Sequence, residues 1–168
     1  MALTILIRTQ LNSIPELSDA CYTKANYGVN TNATLSVNTP RGVLGGSVAA
    51  VSAGLDYTVV PGNVDLMPVG LFVNDAAGAA FENAPAVASG KVAVIKGQAS
   101  VEVDVYETQN AAGTAALTYA VGEKLYTSAQ GFLTNEDNTS GAGADVIMGV
   151  VTKAPTTDSP TLGLDMRL

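Results

Sequence analysis

The sequence contains no histidine and no tryptophan, and it has a single cysteine, Cys21, in 168 residues. Without histidine, a Ser-His-Asp or Cys-His relay and an HExxH zinc site are excluded, because each of them needs an imidazole. One cysteine permits neither an intrachain disulfide nor a cluster of thiolate metal ligands. Stability must therefore come from packing and self-association, and we expect Cys21 to be a small core hydrophobe.

Charged residues are also scarce: they make up 14% of the sequence, and 15 acids against 8 bases give a formal net charge of −7. The bases are scattered without a cluster: Arg8, Lys24, Arg41, Lys91, Lys96, Lys124, Lys153 and Arg167. Proteins that bind nucleic acid concentrate lysine and arginine on one face and place aromatic residues between them. Aromatic residues are only 5% of this chain, and its acidic field repels a polyanion. We therefore expect no nucleic-acid partner.

Long apolar runs are missing as well. The opening run from Ala2 to Ile7 lacks a preceding basic region and ends at Arg8, so we expect no signal peptide. No later run approaches the ~18 uninterrupted apolar residues that a membrane helix needs. The sequence therefore predicts synthesis in the cytoplasm and no membrane partner. A chain of this length suits one domain that buries roughly 70% of its unfolded surface.

The dominant pattern in the sequence is an alternation of apolar and polar residues with a period of two. In Val101–Val105 the valines alternate with Glu102 and Asp104, which is typical of a half-buried strand. The C-terminal run 162–168 repeats this alternation with leucine and methionine. Near the N-terminus, three apolar residues alternate in the same way, namely Leu3, Ile5 and Ile7. These segments are predicted to be strands with one face in the core.

Two further runs, 66–73 and 146–151, are apolar at both odd and even positions, which favours strands covered on both faces. Additional strands are predicted between glycine, asparagine and proline residues, at 33–37, 43–51, 56–60, 91–95, 123–127 and 131–134. About ten short strands at close spacing indicate a mainly β fold, an antiparallel β-barrel or β-sandwich.

One segment predicts a short helix near residues 14–25. Ser13 can cap it, Pro15 lies in its first turn, Glu16 follows the serine by three residues and Gly28 can end it. The alanine-rich stretch 75–88 is predicted to be a loop, because glycine and proline interrupt it. We therefore expect an N-terminal arm with this short helix at residues 1–40 and a β-barrel or β-sandwich domain at residues 41–168.

The N-terminal arm is a candidate partner interface. A mean hydropathy of +0.26 with few charges indicates that partner subunits cover some of the apolar surface. The arm combines an apolar strand with polar flanks, so we expect it to add a strand to a partner. The residues predicted to make this interface are Leu3, Ile5, Ile7, Tyr22 and Tyr27.

No combination of residues predicts a catalytic, cofactor-binding or metal site. Glu102 and Asp104 share a strand face, and such a pair can act as acid and base or hold a cation. A solvated strand face is the simpler interpretation, because we expect no histidine or basic residue beside them to divide their roles. The oxygen-rich stretch 135–145 lacks the alternating carboxylates of a calcium loop and is predicted to be a polar connection. Ser128 has no neighbouring base to activate it.

Two segments of the sequence also show a weak internal similarity. The segment from Tyr57 to Gly62 resembles the segment from Tyr126 to Gly131, and each leads into a valine-rich strand. Two related β units explain this, and so does the shared composition, since Ala, Gly, Val and Thr supply 79 of the 168 residues.

From about Tyr57 onward, several segments follow one rhythm of strand, glycine and strand, in the forms VGEKLY, GFLT and IMGVV. These segments are Met67–Asp75, Ala120–Tyr126, Gly131–Thr134, Ile147–Lys153 and Leu162–Leu168. The succession resembles the small β-rich head decoration, or cement, proteins of tailed bacteriophages. The resemblance covers about two-thirds of the chain and leaves out the first 56 residues.

This resemblance implies a small β-barrel or β-sandwich with a structural, non-enzymatic function. Copies of the chain, as a homo-oligomer such as a trimer, are expected to bind the outer surface of the lattice of major capsid proteins and to stabilise the head. The implied location is the outside of the virion capsid, and the acidic net charge suits that surface better than the DNA-filled interior.

Two other hypotheses stay open. Tail-tube, neck and fibre-base proteins of virions share β-rich compositions with decoration proteins. An enzyme or ligand-binding β-barrel that works through carboxylates alone is the alternative from another class.

Overall fold

The structure, a computed structural model, describes residues 3–5, 16–22, 44–51, 59–73, 91–137 and 139–168. Within these residues the chain forms eleven β-strands and no helix. The strands are β1 (Leu3–Ile5), β2 (Glu16–Tyr22), β3 (Val48–Val51), β4 (Val59–Pro61), β5 (Pro68–Phe72), β6 (Lys91–Lys96), β7 (Gln98–Val103), β8 (Lys124–Thr127), β9 (Leu133–Thr134), β10 (Gly149–Lys153) and β11 (Leu162–Arg167). No helix in this part of the chain is long and apolar enough to cross a membrane.

The strands form two sheets in which all named neighbours are antiparallel. One sheet has six strands in the order β1-β7-β11-β10-β8-β9, and the other has five in the order β2-β6-β5-β3-β4. The prediction of a mainly β, antiparallel fold is confirmed. Nearly all the predicted strands are present with ends that differ by a few residues, whereas the predicted strand 33–37 and loop 75–88 lie outside the described residues.

The predicted N-terminal helix is not supported and has to be corrected. Glu16–Tyr22 form β2, which pairs with β6 so that Glu16 lies opposite Lys96 and Tyr22 opposite Lys91. A helix cap is a local signal worth about 1 kcal/mol. Pairing with β6 satisfies a whole row of backbone groups instead, and local sequence does not reveal that this edge is available.

The six-stranded sheet curls like half of a barrel around the core. The chain beyond β7 returns to β9, because Tyr106 and Leu133 form a parallel bridge and the Glu107 amide donates to the Leu133 carbonyl at 2.9 Å. The alternation predicted for β7 and β11 is confirmed, since the valines of 101–105 are buried while Asp104 is exposed. The side chains buried in the core include Val101, Val103, Leu125, Leu133, Leu162, Leu164 and Met166.

The two sheets are continuous through β6 and β7, which only Gly97 separates. Its φ of 85° lies in the left-handed region, where glycine is favoured, and it turns the chain from one sheet into the other. β2 pairs with β6 and β1 pairs with β7, so each N-terminal strand forms an edge of one of the two sheets. Ten residues, 6–15, connect β1 to β2, whereas four residues, 97–100, separate the positions opposite them.

A second junction between the sheets lies at Val48, whose side chain is in the core. Its amide donates to the Gly131 carbonyl at 2.8 Å, and its carbonyl accepts from the Gly62 amide at 2.7 Å. Gly131 has a φ of 82°, and a Cβ there would collide with the Gly62 carbonyl. Gly62 and Gly131, which end the two similar segments of the sequence, therefore meet in close backbone contact.

A candidate binding cleft beside the curled sheet

A cleft of about 650 Å³ opens between the segment that follows β7 and the turn that joins β8 to β9. One wall includes Tyr106 and Glu107, and the other includes Ser128 and Phe132. Glu136, just beyond β9, borders it as well. Because the bridge between Tyr106 and Leu133 fixes the first wall against β9, the cleft is part of the folded core structure and not a gap between loose loops.

The first wall ends in a hairpin that is built around Asn110. The Asn110 side-chain Oδ1 accepts from the Thr114 amide at 2.8 Å and the Ala115 amide at 3.2 Å. Asparagine is favoured in turns for such contacts with nearby backbone. The Ala111 amide donates to Glu136 Oε2 at 2.7 Å, which ties the hairpin to the residues beyond β9.

Ser128 organises the opposite wall. Its hydroxyl donates to Glu107 Oε1 at 2.6 Å and accepts from the Phe132 amide at 3.1 Å and the Gln130 amide at 3.2 Å. These bonds close the turn between β8 and β9 and orient the Glu107 carboxylate. Beside it, Thr127 also lines the cleft, is 1% exposed, and its Oγ1 has no hydrogen-bond partner among the described residues.

Two tyrosines support the first wall. The Tyr119 hydroxyl donates to the Glu107 carbonyl at 2.6 Å, and its ring meets the Tyr106 ring edge to face, with centroids 5.5 Å apart. Burial raises the pKa of Tyr119 well above its usual range, and the nearby Glu107 carboxylate raises this pKa further. Burial also raises the pKa of Tyr106. Both hydroxyls therefore stay protonated around neutral pH.

The cleft has a negative electrostatic character. Glu107, Glu136 and Asp137 line it, and no lysine or arginine is found among its described lining residues. The pKa of Tyr126 is raised above its usual value, mainly by burial and further by the negative charges of Asp137 and Asp145.

The carboxylates Glu102 and Asp104, which the sequence analysis considered as a pair, have separate surroundings outside this cleft. Glu102 Oε2 accepts from Lys153 Nζ at 2.8 Å and from Thr161 Oγ1 at 2.8 Å, while Asp104 is exposed. The expectation that no base stands beside them is wrong for Glu102. Gly163 of β11 lies between Glu102 and Lys153 in the register, and its missing side chain lets Lys153 reach across the strand.

The predicted partner-interface residues lie elsewhere. Leu3 and Ile5 are in β1, opposite Val103 and Val101, at one edge of the six-stranded sheet. Tyr22 ends β2 at an edge of the five-stranded sheet, and Ile7 and Tyr27 lie outside the described residues. None of the three described residues is among the described residues that line the cleft. Their role in an interface stays a prediction.

Sequence reasoning missed the cleft itself. Glu107, Ser128 and Glu136 come from three separate segments, and only the return of the chain to β9 brings them together. The Asn-Ala-Ala-Gly-Thr run 110–114 does carry a turn signal, which could have located the hairpin but not its neighbours.

Comparison with known proteins adds no assignment, because no protein-family model and no curated protein matches the sequence.

Proposed function

We propose that this protein is a head decoration protein of a bacteriophage virion, which binds the outer surface of the major capsid lattice and stabilises the head. The observation that carries the proposal is the placement of the N-terminal strands. β1 is added at an edge of the six-stranded sheet through β7, and β2 is added at an edge of the five-stranded sheet through β6. A segment that adds strands to sheet edges within its own chain has the chemistry needed to do so on a neighbouring subunit.

The position of the resembling motifs supports the same function. The segments Ala120–Tyr126, Gly131–Thr134, Ile147–Lys153 and Leu162–Leu168 overlap β8, β9, β10 and β11. These four strands are consecutive in the six-stranded sheet. Four of the five resembling segments therefore lie in one continuous part of one sheet, whereas the fifth, Met67–Asp75, overlaps β5 of the five-stranded sheet.

The mechanism of such a protein is adhesive. A homo-oligomer that contacts several capsid subunits at once gains affinity from multivalency, and its binding to the assembled lattice stabilises that lattice by mass action. The net charge of −7 suits a position outside the shell, away from packaged DNA. No catalytic step or cofactor is part of this proposal.

The test is binding to expanded capsids of the parent phage that lack this protein. We expect the purified chain to bind them and to raise their melting temperature, and electron microscopy should show added density on the outer surface. Deletion of residues 1–12, which removes β1, should weaken capsid binding while the full chain binds. Failure to bind any capsid form would exclude the decoration function.

A tail-tube, neck or fibre-base role is the alternative within the virion. In that case the protein should remain with the tail fraction when heads and tails are separated. The ligand-binding β-barrel is favoured by a different observation, the cleft between Glu107 and Ser128.

A further inference from the structure

We propose that Met67 is an oxidation site. A peroxide converts its thioether to the sulfoxide while the protein stays folded, and the apolar surface patch that Met67 forms with Val51 becomes polar. This inference goes beyond the decoration function and does not rest on it, because it depends only on which side chains the folded chain leaves exposed.

The methionines of the chain differ in exposure. Met67 is 50% exposed, whereas Met148 is 0% and Met166 is 1% exposed. Both buried methionines belong to the hydrophobic core. The fourth methionine of the sequence, Met1, lies outside the described residues. An oxidant must reach a lone pair on the sulfur, so among the described methionines the fold directs oxidation to Met67.

The backbone around Met67 is held in place, so oxidation changes the side chain alone. Met67 lies in the turn between β4 and β5, and its carbonyl accepts from the Val51 amide at 2.9 Å. Earlier in the same turn, the Val64 carbonyl accepts from the Gly143 amide at 3.1 Å. Both hydrogen bonds join backbone groups and neither uses the thioether. We therefore expect the sulfoxide to leave the turn and the two sheets intact.

The oxidant is a peroxide, and the step transfers one oxygen atom. With hydrogen peroxide, the thioether sulfur attacks one oxygen, an S–O bond forms and the O–O bond breaks. The proton of the transferred hydroxyl goes to the departing hydroxide, which leaves as water. Sulfur is oxidised by two electrons and the peroxide is reduced by two. Methionine sulfoxide reductases reverse this change, so the modification is reversible.

The surface that changes lies at one end of the five-stranded sheet. Val51, which ends β3, is 45% exposed, and it is one of three exposed large hydrophobic residues in the described part of the chain, together with Met67 and Val121. The backbone hydrogen bond between Val51 and Met67 keeps these two residues next to each other. A sulfoxide is polar, so oxidation reduces the apolar area of this patch and leaves the core unchanged.

The first experiment treats the folded protein with hydrogen peroxide, removes the oxidant, digests the chain with trypsin and measures oxidation of each peptide by mass spectrometry. Each methionine falls in a different tryptic peptide: Met1 in 1–8, Met67 in 42–91, Met148 in 125–153 and Met166 in 154–167. We expect peptide 42–91 to be oxidised at least about tenfold faster than the peptides of the two buried methionines, because buried groups react only when the core opens. In concentrated urea these three rates should become similar.

The second experiment measures the polarity of the surface by hydrophobic-interaction chromatography. The oxidised protein should elute earlier than the untreated protein, and treatment with a methionine sulfoxide reductase should restore the original retention. Met67→Gln places a polar side chain at the same position and should elute early without any oxidant. Met67→Leu is the matched control, because it stays apolar and carries no sulfur, and its retention should not respond to peroxide. Both variants replace an exposed side chain, so we expect both to fold.

Three results would overturn the proposal. The first is oxidation of peptide 42–91 in the folded protein that is no faster than oxidation of 125–153 and 154–167. The second is a peroxide-induced change of retention that is equally large in Met67→Leu, since it would assign the change to another residue. The third is loss of the β-sheet circular dichroism signal as Met67 is oxidised, because the modified protein would then be unfolded. Capsid binding bears on none of these results, so the decoration function can fail while this inference holds.

Discussion

Glu102 and Glu107 are five positions apart in the chain, yet they lie in opposite electrostatic surroundings. A hydroxyl group orients each of them, since Thr161 donates to Glu102 at 2.8 Å and Ser128 donates to Glu107 at 2.6 Å. Glu102 also accepts from Lys153. Glu107 faces a cleft whose described lining residues include no base.

The difference comes from what lies between each carboxylate and the nearest available cation. On the sheet, Gly163 has no side chain, so Lys153 reaches across β11 to Glu102. In the cleft the neighbouring acids Glu136 and Asp137 add negative charge instead. A carboxylate that is paired with a base ties strands together, whereas one that is held but not paired is available to a ligand.

The largest effect is expected from Gly163→Val, which fills the space over which Lys153 crosses. A Cβ at this position would lie 2.7 Å from the Lys153 Cβ, so the added side chain must displace β10 or the lysine. We expect a loss of about 2–3 kcal/mol in the free energy of unfolding, measured by urea denaturation. Arg167→Val, at an exposed position of the same strand, should have little effect. Equal losses would show that the strand as a whole, and not the crossing, is sensitive.

Ser128→Ala should have the next largest effect. This substitution lies in the cleft, beside Glu107. The substitution removes the acceptor of the Gln130 and Phe132 amides and the donor to Glu107. Unsatisfied buried groups cost about 1–3 kcal/mol, so we expect a loss of about 1–2 kcal/mol in the free energy of unfolding by urea denaturation. Thr157→Ala, an exposed control, should leave the free energy of unfolding unchanged. An unchanged free energy of unfolding in Ser128→Ala would show that these hydrogen bonds do not stabilise the turn.

Thr127→Val should stabilise the protein by a smaller amount. The two side chains have the same shape, and the change removes a buried hydroxyl that has no partner among the described residues. We expect a gain of up to about 1 kcal/mol in the free energy of unfolding, measured by urea denaturation. Thr134→Val is the matched control and should destabilise, because Thr134 Oγ1 accepts from the Glu136 amide. A loss of stability in Thr127→Val would show that its hydroxyl is satisfied.

Lys153→Met removes the base that pairs with Glu102 on the six-stranded sheet. The Lys153 side chain is 37% exposed and that of Glu102 is 22% exposed, so water screens the pair. We expect a change of at most about 1 kcal/mol in unfolding free energy, because partly exposed ion pairs contribute little. A double-mutant cycle with Glu102→Gln measures the coupling between them. A coupling well above this value would mean that the pair behaves as a buried one.

The smallest effect near neutral pH concerns Tyr119 beneath the cleft. Because folding raises its pKa above the ordinary value of 10.0, its contribution to stability is complete below pH 10 and declines as the pH rises further. Unfolding free energies measured from pH 8 to pH 11 should therefore fall more steeply in the wild type than in Tyr119→Phe. Parallel curves would assign the loss at high pH to other groups.

Much of the fold could be predicted from the sequence because strand patterns are local. The alternation in 101–105 and 162–168 indicates strands with one buried face, and the structure confirms both as β7 and β11 with buried valines, leucines and methionine. The segment 14–25 was mistaken because Ser13, Pro15 and Glu16 are local helix signals, while the partner β6 begins about seventy residues later.

The sites could not be predicted in the same way. Lys153 reaches Glu102 only because β7, β11 and β10 are neighbours in that order, and a glycine occupies the middle position. Glu107 and Ser128 are twenty-one residues apart and meet only because the chain returns to β9.

The sequence by itself determined the antiparallel β character, the inward faces of its best-patterned strands, and the exclusion of chemistry that needs histidine. Those properties follow from side-chain type and a period of two, which neighbouring residues already contain. The tertiary structure decided which carboxylate received a base and which faced a cleft, and it placed β1 at an edge of the six-stranded sheet and β2 at an edge of the five-stranded sheet. Electrostatic pairing and strand addition depend on distances in space between segments far apart in the chain, and only the folded chain sets those distances.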